Sequence, residues 1–438
     1  MKGRSTMRKG FVFGCIVASL SLLSCATTDR VTSAGPIHEA KGCVHCLDQL
    51  AAAAKAQDVE AAYQSLANLI DQSPEALATV DTGTLAWIYN ERARHVGGDE
   101  LYADLGRLFD AYRGASASRE PESLWLALAI MAAERGNLDL ARRAIGHLKN
   151  PHYLINVKTD RRFSPIVESD PQAFDIPNAL ARYIEDLRKQ VEGKPRGLRI
   201  RLQLVDALLT ANAFEEALRL TDDLSSQLRQ TSPASPAFDD LESARWVSDL
   251  RAKALIGLGR RDEGLEELER GRRPPGASNA SADLSLNLAG LLCGSGRPQQ
   301  ALNVLDEPLW VSPFGLMKVH LVRHWAALQM GDAEAAAAEL AYMVQHMQDD
   351  PRGLQQALVV AGRTDEAVAL LKYRLSYSVL RTDVLMQLQR FDLRMMATEE
   401  KRRELAWRAF ADRTDVRAAL APYGSIEYFP IGPTQGWE

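Results

Sequence analysis

Along most of this chain, apolar residues fall at helical spacing in short stretches, and a polar turn separates each stretch from the next. One signature recurs. A turn residue, often Gly beside a charged residue, precedes a helical stretch with Ala about five residues on and Leu or Ile about four after that. It stands at Gly136 (GNLDLARRAI), Asn212 (NAFEEALRLT), Gly259 (GRRDEGLEEL), Gly296 (GRPQQALNVL), Gly331 (GDAEAAAAEL) and Gly362 (GRTDEAVALL), with a weaker copy at Gln57 (QDVEAAYQSL). Runs of β-branched residues alternating with period two are sparse, so few strands are expected. One helical pair cannot bury its own apolar face, so such pairs must stack. The pattern predicts an all-α chain, a helix-turn-helix repeat solenoid.

The last four intervals between turn residues are 47, 37, 35 and 31, which bracket the 34 of a tetratricopeptide repeat. The unit opening near Glu122 resembles that family: Trp125, Leu128, Ala129, Gly136, Ala141 and Ile145 fall on its Trp, Leu, small, turn-Gly, Ala and apolar positions. The unit around Gly296 supplies Leu288, Ala289, Leu292, Ala301 and Leu305, and the first unit supplies Ala62, Leu66 and the closing Pro74. His324 stands where a small residue belongs, and residues 150–200 contain no clean unit. The resemblance thus implies a degenerate tetratricopeptide-like array over most of 43–421. Small residues let the two helices of a unit approach closely, and a turn Gly takes φ > 0 without steric cost.

Punctuation divides the chain further. Residues 43–149 read as N-terminal repeats and 177–397 as C-terminal repeats, joined by an irregular link, 150–176, that carries three Pro. Residues 231–238 and 273–281 are Pro/Ser/Gly-rich loops. In 398–438 a terminal capping helix starts near Thr398, with Glu399 and Glu400 in its first turn, and runs to about Leu420. The aromatic tail after Pro422 is expected to pack over the last repeat.

The N-terminus carries an address. Lys2, Arg4, Arg8 and Lys9 precede an apolar run, Phe11 to Leu23, which is too short to span a bilayer but suits a signal peptide. Leu22-Leu23-Ser24-Cys25 resembles the lipobox of bacterial lipoproteins. The resemblance implies a signal peptide over 1–24, lipidation of Cys25, and acyl chains that anchor the protein durably. Ala26, where an Asp would mean retention at the inner membrane, implies the outer membrane, with the protein facing the periplasm. Residues 25–42 read as a flexible tether.

Charge is mildly negative, 52 Lys and Arg against 57 Asp and Glu, which gives no nucleic-acid signature. Of five Cys, Cys15 leaves with the signal peptide and Cys25 is lipidated. Cys43, Cys46 and Cys293 remain, too few for a disulfide framework. Cys43-Val44-His45-Cys46 opens the first helix, where the helix N-terminus favours thiolate. A structural disulfide, free thiols, thiol redox chemistry and a metal site with His38 and His45 are all compatible with it. Leu47 excludes a c-type haem motif. His320 and His324 stand at i, i+4 on one helical face, without the Glu of HExxH at 321. No GxSxG, P-loop or strand-to-helix GxGxxG occurs. No cofactor is expected.

Function enters through the resemblance. Tetratricopeptide units line a groove with the second, fifth, ninth, twelfth and thirteenth positions of their first helix. Counting back from the turn residues gives Arg199, Leu202 and Asp206; Arg245, Ser248 and Lys253; Asp283, Leu286 and Cys293; and Lys318, Leu321 and Trp325. Arg199, Arg245, Lys253 and Lys318 would form a basic stripe with Trp325 as an aromatic anchor. Such a stripe suits an acidic or carboxylate-ended peptide; the alternative is a set of solvated helix faces. The expectation is a non-enzymatic, lipid-anchored adaptor for an envelope protein or peptide. Thiol redox or metal handling at Cys43 and Cys46 is the rival reading.

Overall fold

The structure is a computed structural model that describes residues 44–112, 120–230, 236–273, 279–392 and 396–433. The chain is all-α, a helical-repeat solenoid built from helix-turn-helix pairs. Among the described residues there is no strand, only an isolated parallel bridge between Arg390 and Tyr428. Two compact units are present. Of the described residues, the first takes in those up to Asp175 with Ser376–Asp383, and the second takes in Ile176–Leu375 and those from Val384.

The first unit holds α1 (Val44–Lys55), α2 (Val59–Gln72), α3 (Thr82–Arg92), α4 (Gly98–Tyr112), α5 (Glu122–Glu134), α6 (Leu138–Ile145), α7 (Pro151–Thr159) and α8 (Ser164–Ser169). The second holds α9 (Ile176–Gly193), α10 (Leu198–Thr210), α11 (Phe214–Gln230), α12 (Arg245–Gly257), α13 (Arg261–Arg272), α14 (Ala282–Gly294), α15 (Pro298–Leu305), α16 (Pro313–Met330), α17 (Ala333–Gln345), α18 (Pro351–Val360) and α19 (Thr364–Ser376). After α20 (Ser378–Gln387) come α21 (Thr398–Ala411) and α22 (Thr414–Leu420).

The hairpin turns follow one rule. Among the described residues, φ is positive at Gln57, Gly136, Asn212, Gly259, Gly296, Gly331 and Gly362, the seven turn positions of the sequence signature. Each turn closes the preceding helix with the same pair of backbone bonds. At Gly136 its own N–H donates to Ala133 and the next N–H, of Asn137, donates to Ala132. At Gly331 the corresponding acceptors are Leu328 and Ala327. Two otherwise orphaned carbonyls are satisfied this way. The next residue then opens the following helix. Asp58, Asn137 and Asp332 cap α2, α6 and α17 with their side-chain oxygens. Two or three residues separate the end of one helix from the start of its antiparallel partner, so the pair packs face to face.

The pairs close on small residues. Ala129 on α5 and Ala141 on α6 are fully buried, as is Trp125. Ala289 on α14 and Ala301 on α15 repeat the arrangement. His324 departs from it: 1 % exposed, its Nδ1 lies 2.8 Å from the carbonyl of Ala336 on α17. The alanines of α17 leave the room that an imidazole needs at a helix contact.

Three segments differ from the sequence expectation. The irregular link at 150–176 is largely helical, forming α7, a 3-10 turn over Arg161–Phe163, and α8. Its Pro151 and Pro165 occupy first-turn positions, where a missing N–H costs no hydrogen bond. The terminal helix does not run unbroken to Leu420; it stops at Ala411 and restarts at Thr414. The aromatic tail starts on the last repeats, where Tyr423 and Ile426 pack against the apolar cluster of α16–α19, and then runs on past them. Residues 427–431 pair with Arg390 and Asp392, and the N–H of Gly432 donates to Thr210 at the C-terminal end of α10.

Candidate binding face of the second unit

The first helices of successive pairs in the second unit are α10, α12, α14, α16 and α18. Neighbours in this row touch through side chains at their N-terminal halves. Arg199 lies 3.2 Å from Glu242, and the N–H groups of Leu198 and Arg199 donate to Asp240. Arg245 of α12 lies 4.0 Å from Asp283 of α14. Lys253 reaches Asp249 on its own helix at 2.9 Å, and Asn287 of α14 donates to the same carboxylate at 2.8 Å. Lys318 of α16 lies 3.2 Å from Asp350, which also caps α18.

The four candidate cations therefore stand on the first helices of one row, but each faces a carboxylate. Their side chains are only 12 to 28 % exposed. The arrangement is a ladder of alternating charge, not an open basic stripe. Of the acids that complete it, Asp283 was among the groove positions counted from sequence; Asp249, Asp350 and Glu242 were not. Asp350 could have been found as a capping residue directly before Pro351. Burial pushes the Asp206 carboxyl up to about 6; Lys253 opposes the shift and Asp249 adds to it.

Trp325 differs from the rest. It is partly buried between two apolar clusters, and the guanidinium of Arg403, on α21, stacks 4.1 Å from its ring centroid. Cys293 is a free thiol with no exposure, 3.2 Å from Gln329 Nε2, and burial pushes its pKa up. Both residues stand near the C-terminal ends of their helices, beside the turns.

Along that row of turns runs the C-terminal segment. Glu400 of α21 lies 3.6 Å from Arg261, just after the Gly259 turn, and packs against Gly294 beside the Gly296 turn. Arg413 reaches Asp365, after the Gly362 turn, at 3.5 Å. Gly432 closes on the Asn212 turn. Helix α21 itself packs on α14 and α18, first helices of pairs that are not adjacent. It is therefore not the next step of the array but a strap across it. Trp407, Phe410, Ala411, Val416 and Leu420 hold it by burial in the apolar cluster of α16–α19.

The other candidates lie apart. Cys25, Cys43 and His38 fall outside the described residues. Cys46 is disulfide-bonded and buried on α1, and His45 is exposed beside Gln49. His320 and His324 share a helix face but not a site: His320 stacks on Tyr342 at 3.7 Å and pairs with Glu339, while His324 turns inward. Among the described residues no group of three or more His, Cys, Asp or Glu side chains is placed to hold a metal ion. No described helix is long and apolar enough to cross a membrane. No protein-family model matches the chain, and no curated protein matches it.

Proposed function

We propose that this protein is a lipid-anchored adaptor of the bacterial envelope, a tetratricopeptide-like scaffold that holds a protein or peptide partner. The basic run, apolar segment and Leu-Leu-Ser-Cys25 ending support the anchor, with the body tethered at the outer membrane and facing the periplasm. The observation that carries the adaptor reading is the strap. The turn-side ends of α14 and α16 already receive a helix from outside the repeat order, with Arg403 on Trp325 as a contact. A surface that docks one helix by side-chain contacts has the chemistry to dock another. Arg and Trp are also the residue types that concentrate binding energy at interfaces.

Two measurements test it. Wild-type protein grown with a clickable fatty acid should carry the label, and Cys25→Ala should not; an unlabelled wild type removes the anchor. A photo-crosslinking amino acid at 325 should yield a discrete adduct in intact cells, and the same group at Glu216, on the second helix of a pair, should not. Identical adducts from both positions would defeat the adaptor reading.

A further inference from the structure

The two halves of α21 are held by different forces. From Trp407 onward the anchors are apolar and buried. Before it no buried apolar side chain occurs: Lys401 and Arg402 are exposed, and Leu405 is 55 % exposed. Glu400, paired with Arg261 at 3.6 Å and packed against Gly294, is one contact of the first half with the repeats; Arg403 is the second. That second contact is incomplete. Nη1 of Arg403, Nε1 of Trp325 and Oε1 of Gln329 are buried without a hydrogen-bond partner. Burial of the Arg403 guanidinium lowers its pKa. A dehydrated cation over an aromatic ring recovers only part of what taking the ion out of water costs. Each orphaned polar atom adds its own desolvation cost. The first half is thus a poor fit on a surface that a better partner would fill.

We propose that the turn-side ends of α14 and α16, around Trp325 and Gln329, form a helix-docking site whose resident occupant is the first half of α21. The partner is a helix patterned on the first half of α21: an acidic first turn set against Arg261, then a polar residue over Trp325. Binding lifts residues 398–404 while the apolar second half stays seated. The resident helix makes the site selective, because apparent affinity falls in proportion to the fraction of molecules that are open. This inference rests on the adaptor reading and names the kind of partner it takes.

The test uses the full chain with Cys25→Ala, and as probe a labelled synthetic peptide of residues 397–412. Glu400→Arg removes the Arg261 pair and loosens the cover. Gly294→Cys with Glu400→Cys, in a Cys293→Ala background, locks it. A Cβ built on Gly294 meets the Glu400 side chain, within reach of a disulfide. The peptide should bind Glu400→Arg at least tenfold more tightly than the unmodified cover, and should not bind the locked form until it is reduced. Equal affinity for all three overturns the proposal, as does absence of binding to a Glu400→Arg protein with unchanged helical signal. The adaptor reading is separable. If the locked protein still forms the wild-type crosslink in cells, the docking site is elsewhere and the adaptor stands. If the wild type forms none, the adaptor reading falls and this site with it.

Discussion

Arg403 lies over the ring of Trp325 at 4.1 Å, one side chain from the C-terminal helix and one from the repeat array. The pair marks where the two meet. On one side of it, toward Thr398, the contacts of α21 are polar; on the other, from Trp407 on, they are apolar. A single helix is thus held tightly at one end and loosely at the other, and the join falls at the best candidate anchor of the binding face.

The turn residues allow a clean stability comparison. A Cβ at Gly331 would meet nothing within 4 Å, but its φ is +77°; a Cβ at Gly290, inside α14, would also meet nothing. Gly331→Ala should destabilise by about 1–2 kcal/mol, the cost of a left-handed non-glycine residue. Gly290→Ala should stabilise by about 0.5–1 kcal/mol, because helix-interior Gly is entropically costly. Urea denaturation followed by circular dichroism reads both. Equal shifts in one direction would show that backbone conformation is not what selects Gly at these turns.

Ala129 has no exposure at the α5 contact with α6. Ala129→Leu should cost about 1–3 kcal/mol by overpacking, and Ala129→Gly should cost less. A Leu variant as stable as the wild type would mean that the helices can separate there without penalty.

Glu122 gives the first unit a pH dependence of unusual sign. Burial pushes its carboxyl up to about 7, although its Oε2 accepts the N–H groups of Lys149 and Asn150 at 2.8 Å each. The folded chain then binds a proton that the unfolded chain, with an ordinary carboxyl near 4.5, releases. This group's contribution therefore falls as pH rises from about 4.5 to about 7. In Glu122→Gln the amide oxygen keeps both bonds and the proton drops out. The variant should lose this slope and gain on the wild type above pH 7. Parallel stability curves across pH 4 to 8 would refute the assignment.

Glu307 works in the opposite direction. Arg272, whose side chain is 4 % exposed, holds its carboxyl down at about 2, with Arg273 assisting. Its contribution is present above the ordinary carboxyl range and is lost as pH falls through about 2. Glu307→Gln should destabilise the second unit near neutrality and converge with the wild type in strong acid. A deficit that is the same at pH 3 and pH 7 would mean that shape, not charge, is lost.

The cysteines divide by accessibility. Cys293 should resist alkylation in the folded protein, being buried with a raised pKa, and react in urea. Cys46 should stay unlabelled in both states until reductant is added, and mass spectrometry of the non-reduced protein should find it joined to Cys43. Labelling of Cys46 without reductant would remove the disulfide.

The repeat order was legible because it rests on local chemistry. Positive φ selects Gly, or Asn and Gln at a cost, so Gln57, Asn212 and the five glycines announce each turn before any contact is known. Ala129, Ala141, Ala289 and Ala301 likewise announce close helix contacts, since a pair one turn apart needs small residues wherever the chain is. Pro151 and Pro165 misled, because Pro breaks a helix interior and starts a helix equally well, and only the position of the preceding cap distinguishes the two. What the tertiary structure decided was charge and coverage. A cation in the sequence is a cation, but whether Lys318 is open or spent depends on Asp350, brought beside it by the packing of α18 on α16. Arg403 meets Trp325 only because α21 turns back along the hairpin turns. No periodicity encodes that return, since it is set by which apolar faces remain uncovered once the repeats have stacked.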